Sequence, residues 1–249
     1  MVSDQTERDI ERLRQWIGEC APGRMVFFGG AGVSTESGIP DFRSADGLYA
    51  QRYPYPPETM VSRSFFDAHP HEFFDFYCDR MLALNAEPNA AHRKLAELER
   101  KGTLSAVVTQ NIDGLHSDAG SKNVIELHGS IRRNHCMKCG KSYGLEFIAS
   151  ADGVPRCSCG GIVKPDVVLY EEPLNESDIN AAINAISDAD LLIIGGTSLA
   201  VQPAAGLIRF FNGRRLAVIN KSPTSADDEA DIVINGSIGE TLGSITVNS

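Results

Sequence analysis

Six short apolar runs, Met25 to Phe28, Leu104 to Val108, Val167 to Leu169, Leu191 to Ile194, Leu216 to Ile219 and Ile232 to Ile234, are nearly free of polar residues. A strand with one wet face alternates apolar and polar side chains. Runs without alternation belong to strands covered on both faces, the condition of a parallel sheet flanked by helices. Helical periodicity fills gaps where crossovers belong, over Ala90 to Arg100, Glu176 to Ala189 and Ala204 to Phe211. Ahead of the first run an amphipathic helix is predicted, with Asp4 as N-cap, Glu7 three residues on, and Ile10, Leu13 and Ile17 on one face. The reading is an α/β fold.

Two stretches break that rhythm. Residues 45–83 combine Pro54, Pro56, Pro57 and Pro70 with nine aromatic residues and carry no strand signal, which predicts a helical insertion preceded by a loop. Residues 131–165 are poor in large apolar side chains but hold Cys136-x-x-Cys139 and, after 17 residues, Cys157-x-Cys159. Two close thiolate pairs make a tetrahedral sulfur set suited to structural Zn²⁺, which would fold a small lobe and leave no open position for chemistry. Cys20 and Cys78 stand apart and read as small buried hydrophobes.

Composition narrows the function classes. With 42% hydrophobic and 22% charged residues the chain is globular rather than disordered, and 249 residues suffice for one to two domains. Its 23 basic against 33 acidic side chains leave a net charge of -10, a poor match for a phosphate backbone, so nucleic acid is not expected as a partner. The N-terminal twenty residues are too charged for a secretory signal, and the longest apolar stretch, Leu191 to Val201, is well short of the roughly 18 residues a membrane span needs. A cytoplasmic monomer that does not bind membranes is expected.

Polar residues cluster just after the predicted strands. Gly29-Gly30-Ala31-Gly32-Val33-Ser34-Thr35 follows the first run and can bring backbone N–H groups against a pyrophosphate at a helix N-terminus. Thr35 stands where the dehydrogenase fingerprint has its third glycine, which disfavours a hydride-transfer enzyme. Gln110, Asn111 and Asp113 follow the second run, where α/β proteins bind ligands. His128 sits at a loop edge with an imidazole suited to proton transfer, and His116 is its competitor. Gly195-Gly196-Thr197-Ser198 and Asn220 close two further strands. Several polar strand ends in one sheet call for a large, multiply anchored ligand, and a dinucleotide meets that demand.

In their order, Gly30 to Ser34, Gly38-Ile39-Pro40-Asp41-Phe42-Arg43, Thr109 to His116, His128-Gly129, the four cysteines, Pro165 to Val168, Gly196-Thr197-Ser198 and Ile219-Asn220 resemble the sirtuin (Sir2-type) family of NAD-dependent protein deacylases, in its bacterial form. The resemblance covers about residues 20 to 243. It implies a Rossmann-type parallel-sheet large domain (1–44, 84–130 and 166–249) with a small domain made of a zinc-binding module (131–165) and a helical module with the cofactor loop (45–83). The implied activity passes the acyl group of acyl-lysine to ADP-ribose with release of nicotinamide, NAD being consumed and Zn structural. The implied partners are acyl-lysine proteins or peptides.

By the same resemblance His128 is the catalytic base, Asn111 orients a water and the nicotinamide ribose, Asp113 and Ile112 hold the carboxamide, and Phe42 shields C1′. Gly30, Ala31, Gly32, Thr35, Arg43 and Gln110 line the cofactor channel. Gly196, Thr197, Ser198, Asn220 and Ile238 surround the adenosine half, Val168 pairs with the peptide, and Cys136, Cys139, Cys157 and Cys159 bind the metal. Gly30 stands where many members have threonine, and Tyr170-Glu171-Glu172 replaces the more usual Phe-Gly-Glu. Tyr77-Cys78-Asp79-Arg80 resembles the Tyr-x-x-Arg pair with which some members grip malonyl or succinyl carboxylates; the alternative is a plain helix face with Arg80 solvated or paired to Asp79 or Asp75. Competing functions are protein ADP-ribosyl transfer and, in another class, a zinc-ribbon nucleic-acid module.

Overall fold

In a computed structural model, residues 4–41, 47 and 53–246 are described. The elements are α1 (Asp4–Glu19), β1 (Met25–Gly29), α2 (Pro57–Met60), α3 (Arg63–Ala68), α4 (Pro70–Arg80), α5 (Ala90–Arg100), β2 (Leu104–Thr109), α6 (Leu115–Asp118) and β3 (Val124–Glu126). There follow β4 (Gly129–Cys136), β5 (Ser142–Tyr143), α7 (Leu145–Ala149), β6 (Val163–Val167), α8 (Glu176–Asp188), β7 (Leu191–Gly195), β8 (Arg215–Asn220), β9 (Ile232–Asn235) and α9 (Ile238–Ser244).

Six strands form one sheet in the order β3-β2-β1-β7-β8-β9, every pair parallel. The chain reverses its winding between β1 and β7, the point at which a doubly wound sheet opens a crevice at the carboxyl ends of its strands. Both faces are covered. Met25 and Phe27 point toward Leu13, Ile17, Leu95, Leu98 and Leu242 of α1, α5 and α9, whereas Val26 and Phe28 point toward Ala182 and Ile186 of α8 and Leu207 beyond β7. This two-sided burial is why the strands carry no polar alternation.

Two expectations need correction. Val167 to Leu169 is not a strand of the parallel sheet; Val167 ends β6, which pairs antiparallel with β4 in a second sheet ordered β5-β4-β6. The run is apolar because it lines the small lobe's core, and Val124–Glu126 takes the sixth place in the large sheet. Ala204–Phe210 forms a 3-10 helix rather than an α-helix. The insertion and the cysteine-bearing segment share that core: Phe65, Phe66, Phe73, Phe74 and Tyr77 pack with Ile131, Ile148, Val163 and Val167.

Candidate functional site

The turns that follow β1 and β7 touch at the switch point, and the touch requires glycine. Gly32 N–H donates to Gly196 O at 2.8 Å. A Cβ on Gly32 would lie 2.9 Å from Gly196 Cα and O, one on Gly30 would lie 2.9 Å from Thr197 Cβ, and Gly196 has φ +58° with Val33 N 2.4 Å from any added Cβ. Substitution there collides with backbone that cannot move away. The segment after the first turn differs from expectation. It makes two short 3-10 turns, Ala31–Val33 and Thr35–Ser37, ended by Gly38 at φ +83°. Pro40 follows two residues later and biases Ile39 away from helical backbone, so among the described residues this segment forms no α-helix. The Thr35 hydroxyl closes this loop on Gly32 O at 3.0 Å.

A chain of hydrogen bonds joins the first turn to the end of β2. Asn111 Nδ2 donates to Ser34 Oγ at 3.0 Å, and the same hydroxyl donates to Asp113 Oδ2 at 2.6 Å. Leu115 N–H holds Asp113 Oδ1 at 2.9 Å, and Asn111 N–H is tied to Thr109 Oγ1 at 3.0 Å. Ser34 is only 1% exposed. It is the centre of this arrangement and had no role in the sequence reading, although its place directly after the glycine turn was the available signal. Ile112 presents its carbonyl to Ile131 N–H.

His128 hangs from the same strand end. Its Nδ1 lies 2.9 Å from Gln110 O, and since a carbonyl only accepts, Nδ1 carries the proton and Nε2 is left as a free base. Burial pushes the ring below its ordinary value, so it is neutral at pH 7. Gln110 Nε2 reaches Thr197 Oγ1 at 3.1 Å, spanning β2 to β7 across β1. Val168 N–H donates to His128 O at 3.0 Å, which ties the backbone after β6 to the histidine. His116 points elsewhere: it is 2% exposed, packed against Phe27 and His92 beneath the sheet end, with neither ring nitrogen bonded.

Other expected residues lie farther out. Ser198 is exposed, Asn220 turns its amide to Ser222 O, and the Ile238 side chain is buried in the core beside Gly195. Phe42 and Arg43 lie outside the described residues. Tyr77 is fully buried among Phe73 and Phe74 with its hydroxyl unbonded, and Arg80 pairs with Asp79 at 2.6 Å.

The edge next to Val168 is pinned from below. Buried Lys164 Nζ donates to Val167 O at 2.9 Å and Glu172 Oε2 at 3.1 Å, and the same carboxylate oxygen accepts Leu169 N–H. Burial alone would raise the Glu172 carboxyl, but the Leu169 N–H and the Lys164 ammonium hold it below its usual range. Glu171 takes φ +76°, a left-handed backbone costly for a side-chain-bearing residue, while its carboxylate accepts Ser64 N–H and Ser64 Oγ, each at 2.8 Å.

Among the described residues the four cysteines form the cluster that fits a metal. Their sulfurs all lie within 4.8 Å of one another, with Cys136 to Cys159 at 3.4 Å and Cys139 to Cys157 at 3.6 Å. A tetrahedron of 2.3 Å Zn–S bonds has edges of about 3.8 Å, so the donor set fits Zn²⁺. Lys138 N–H and Cys159 N–H point at Cys136 Sγ and Cys157 Sγ, and a Cβ on Gly161 would lie 2.7 Å from Cys136 Sγ. The short Cys157-x-Cys159 spacing is thus accommodated.

The pattern of the Sir2 family matches residues 30–203. The chain is 61% identical to the NAD-dependent protein deacetylase of Clostridium perfringens over 95% of its length and 98% of the relative's. It is 58% identical to that of Clostridium acetobutylicum over 95% and 97%. Among solved structures, a Sir2–p53 peptide–NAD⁺ complex superposes with a TM-score of 0.81 at 39% identity, covering 94% of this chain and 95% of that one. Matching over nearly the full chain at this identity, with the glycine turns, the polar β2 end, the histidine and the four cysteines in one fold, the chain belongs to the Sir2 family.

Proposed function

We propose that the protein is an NAD-dependent protein lysine deacetylase. The observation that carries this reading is the bonded set Ser34–Asn111–Asp113, with neutral His128 hung from Gln110 in the same crevice. NAD⁺ supplies the glycosidic bond whose cleavage releases nicotinamide and opens C1′ to the acyl oxygen, and its ADP-ribose carries the acyl group away. The glycine cradle at Gly30, Gly32 and Gly196 leaves no side chain between the two turns, which suits a close-lying pyrophosphate. Ser34 fixes Asn111 and Asp113 against each other, so the ribose and carboxamide meet preset donors and acceptors. His128 Nε2 takes the proton of a ribose hydroxyl, a role commonly worth roughly 10²–10⁴-fold. The peptide adds as a strand at Val168, where backbone rather than sequence is read. Zn²⁺ on the four cysteines would hold the small lobe together and touch no substrate.

Removal of succinyl or malonyl groups is a second reading, favoured by the buried Tyr77 hydroxyl with no partner among the described residues and by Arg80 three residues along α4. Against it, Arg80 already has Asp79 as partner. Under this reading Arg80→Met lowers desuccinylation far more than deacetylation, and equal effects on both rule it out.

The test is nicotinamide release, followed by mass spectrometry, from acetyl-, succinyl- and longer acyl-lysine peptides with and without NAD⁺. We expect NAD⁺-dependent turnover, abolished by His128→Ala with the metal retained. No release with any acyl-lysine sinks the proposal, and labelled ADP-ribose on protein without O-acyl-ADP-ribose replaces it with ADP-ribosyl transfer.

A further inference from the structure

Asn89 lies outside the crevice, at the N-cap of α5, yet every polar atom of its side chain is engaged. Oδ1 accepts Ala91 N–H at 2.9 Å, capping the helix, and His92 Nδ1 accepts Asn89 N–H at 3.2 Å, closing a capping box. The two amide hydrogens go elsewhere in the chain. Nδ2 donates to Val33 O at 2.7 Å and to Ser37 Oγ at 3.0 Å, the residues on either side of the Ser34–Thr35–Glu36 stretch. Asn89 is 8% exposed, so these bonds are made away from water, where an unpaired donor or acceptor is costly.

The 31–37 segment has no α-helix of its own to hold it, only two single-turn 3-10 pieces. Besides the bonds of Ser34 Oγ to Asn111 and Asp113, it is fastened from outside by Gly32 to Gly196 O, by Glu36 Oε1 to Gly239 N–H at 2.8 Å, and by Asn89 to Val33 and Ser37. Of these, the Asn89 bonds come from one side chain that ties Val33, directly before Ser34, to Ser37 beyond it. Without them the turn is held from outside only at Gly32, at Glu36 and through the Ser34 hydroxyl, and Ser34 Oγ is less firmly placed for its simultaneous reach to Asn111 and Asp113.

We infer that Asn89 is a positioning residue for the dinucleotide, acting through Val33 and Ser37 to set Ser34. The inference rests on the reading that this crevice receives NAD⁺. Asn89→Asp separates positioning from capping: its carboxylate still accepts Ala91 N–H and can accept the Ser37 hydroxyl, but it faces Val33 O with an acceptor instead of a donor. The experiment measures NAD⁺ and acyl-lysine KM, kcat, and ADP-ribose affinity by calorimetry, alongside Tm. Wild-type NAD⁺ consumption and ADP-ribose binding test the underlying reading on their own. Given those, we expect Asn89→Asp to raise KM for NAD⁺ and weaken ADP-ribose about tenfold, with the peptide KM within twofold and Tm within a few degrees of wild type. Asn89→Ala should show the same weakening with a lower Tm. Unchanged KM and ADP-ribose affinity in Asn89→Asp, or parallel loss for NAD⁺ and peptide, overturns the inference.

Discussion

At the scale of single residues, two side chains carry the proposed chemistry, and only one is singled out by the sequence. Position alone leaves His128 and His116 as competitors and the family resemblance singles out His128, but neither gives its tautomer, which depends on Gln110 O lying 2.9 Å from Nδ1 after folding. Burial lowers its pKa, so the acid limb of kcat/KM should fall at an apparent pKa below the ordinary value near 6.5. With the neutral ring as the proposed base, activity is lost as pH drops and retained above neutrality. A limb at or above pH 7 would contradict the buried, neutral imidazole. Ser34 was hidden among glycines, since its importance comes from two partners nearly eighty residues away. Ser34→Ala should cost roughly tenfold to a hundredfold in kcat/KM with little change in Tm, because two neighbours lose their shared hydroxyl while the fold keeps its core. Steady-state kinetics beside a thermal melt checks this.

At the scale of elements, the large sheet was readable because burial on both faces leaves a plain apolar signature, and α5 matched its periodic stretch end for end. What failed was discrimination between apolar neighbours. Val167 to Leu169 reads like the other runs, yet pairing with β4 assigns it to the small lobe. The glycine-rich turn after β1 promised a helix, but contact with the β7 turn and the nearby Pro40 left only single turns. That contact makes a prediction: Gly32→Ala places a methyl 2.9 Å from Gly196 backbone and should destabilise by roughly 1–3 kcal/mol, seen in denaturant unfolding. The cysteine spacing was legible as a metal set, and Cys159→Ser should lose bound zinc and melt the segment around β4 to β6. Activity should then fall, because β6 leads directly into the proposed peptide edge at Val168. Retention of a full zinc equivalent by that variant would refute the four-sulfur assignment.

For the whole molecule, the packing of one buried polar pair between α5 and α6 has no counterpart in the sequence pattern. The rings of His92 and His116 lie 4.6 Å apart, tilted by 59°, and burial lowers both, His92 to about 4. Folded His92 therefore binds fewer protons than the unfolded chain between about pH 6.5 and 4, so stability is full above that window and declines as pH falls through it. Tm measured across this range should drop by several degrees more in wild type than in His92→Asn, whose side chain can still accept the Asn89 N–H. An identical pH slope would remove the histidines from the account. Among the described residues no helix is long and apolar enough to cross a membrane. The left-handed Glu171 has a larger consequence: by gripping Ser64 while Tyr170 pairs with Val61 and Arg63, it welds the edge beside Val168 to the aromatic insertion. A peptide strand added at Val168, as proposed, would therefore bear on the aromatic insertion as well as on the end of β6.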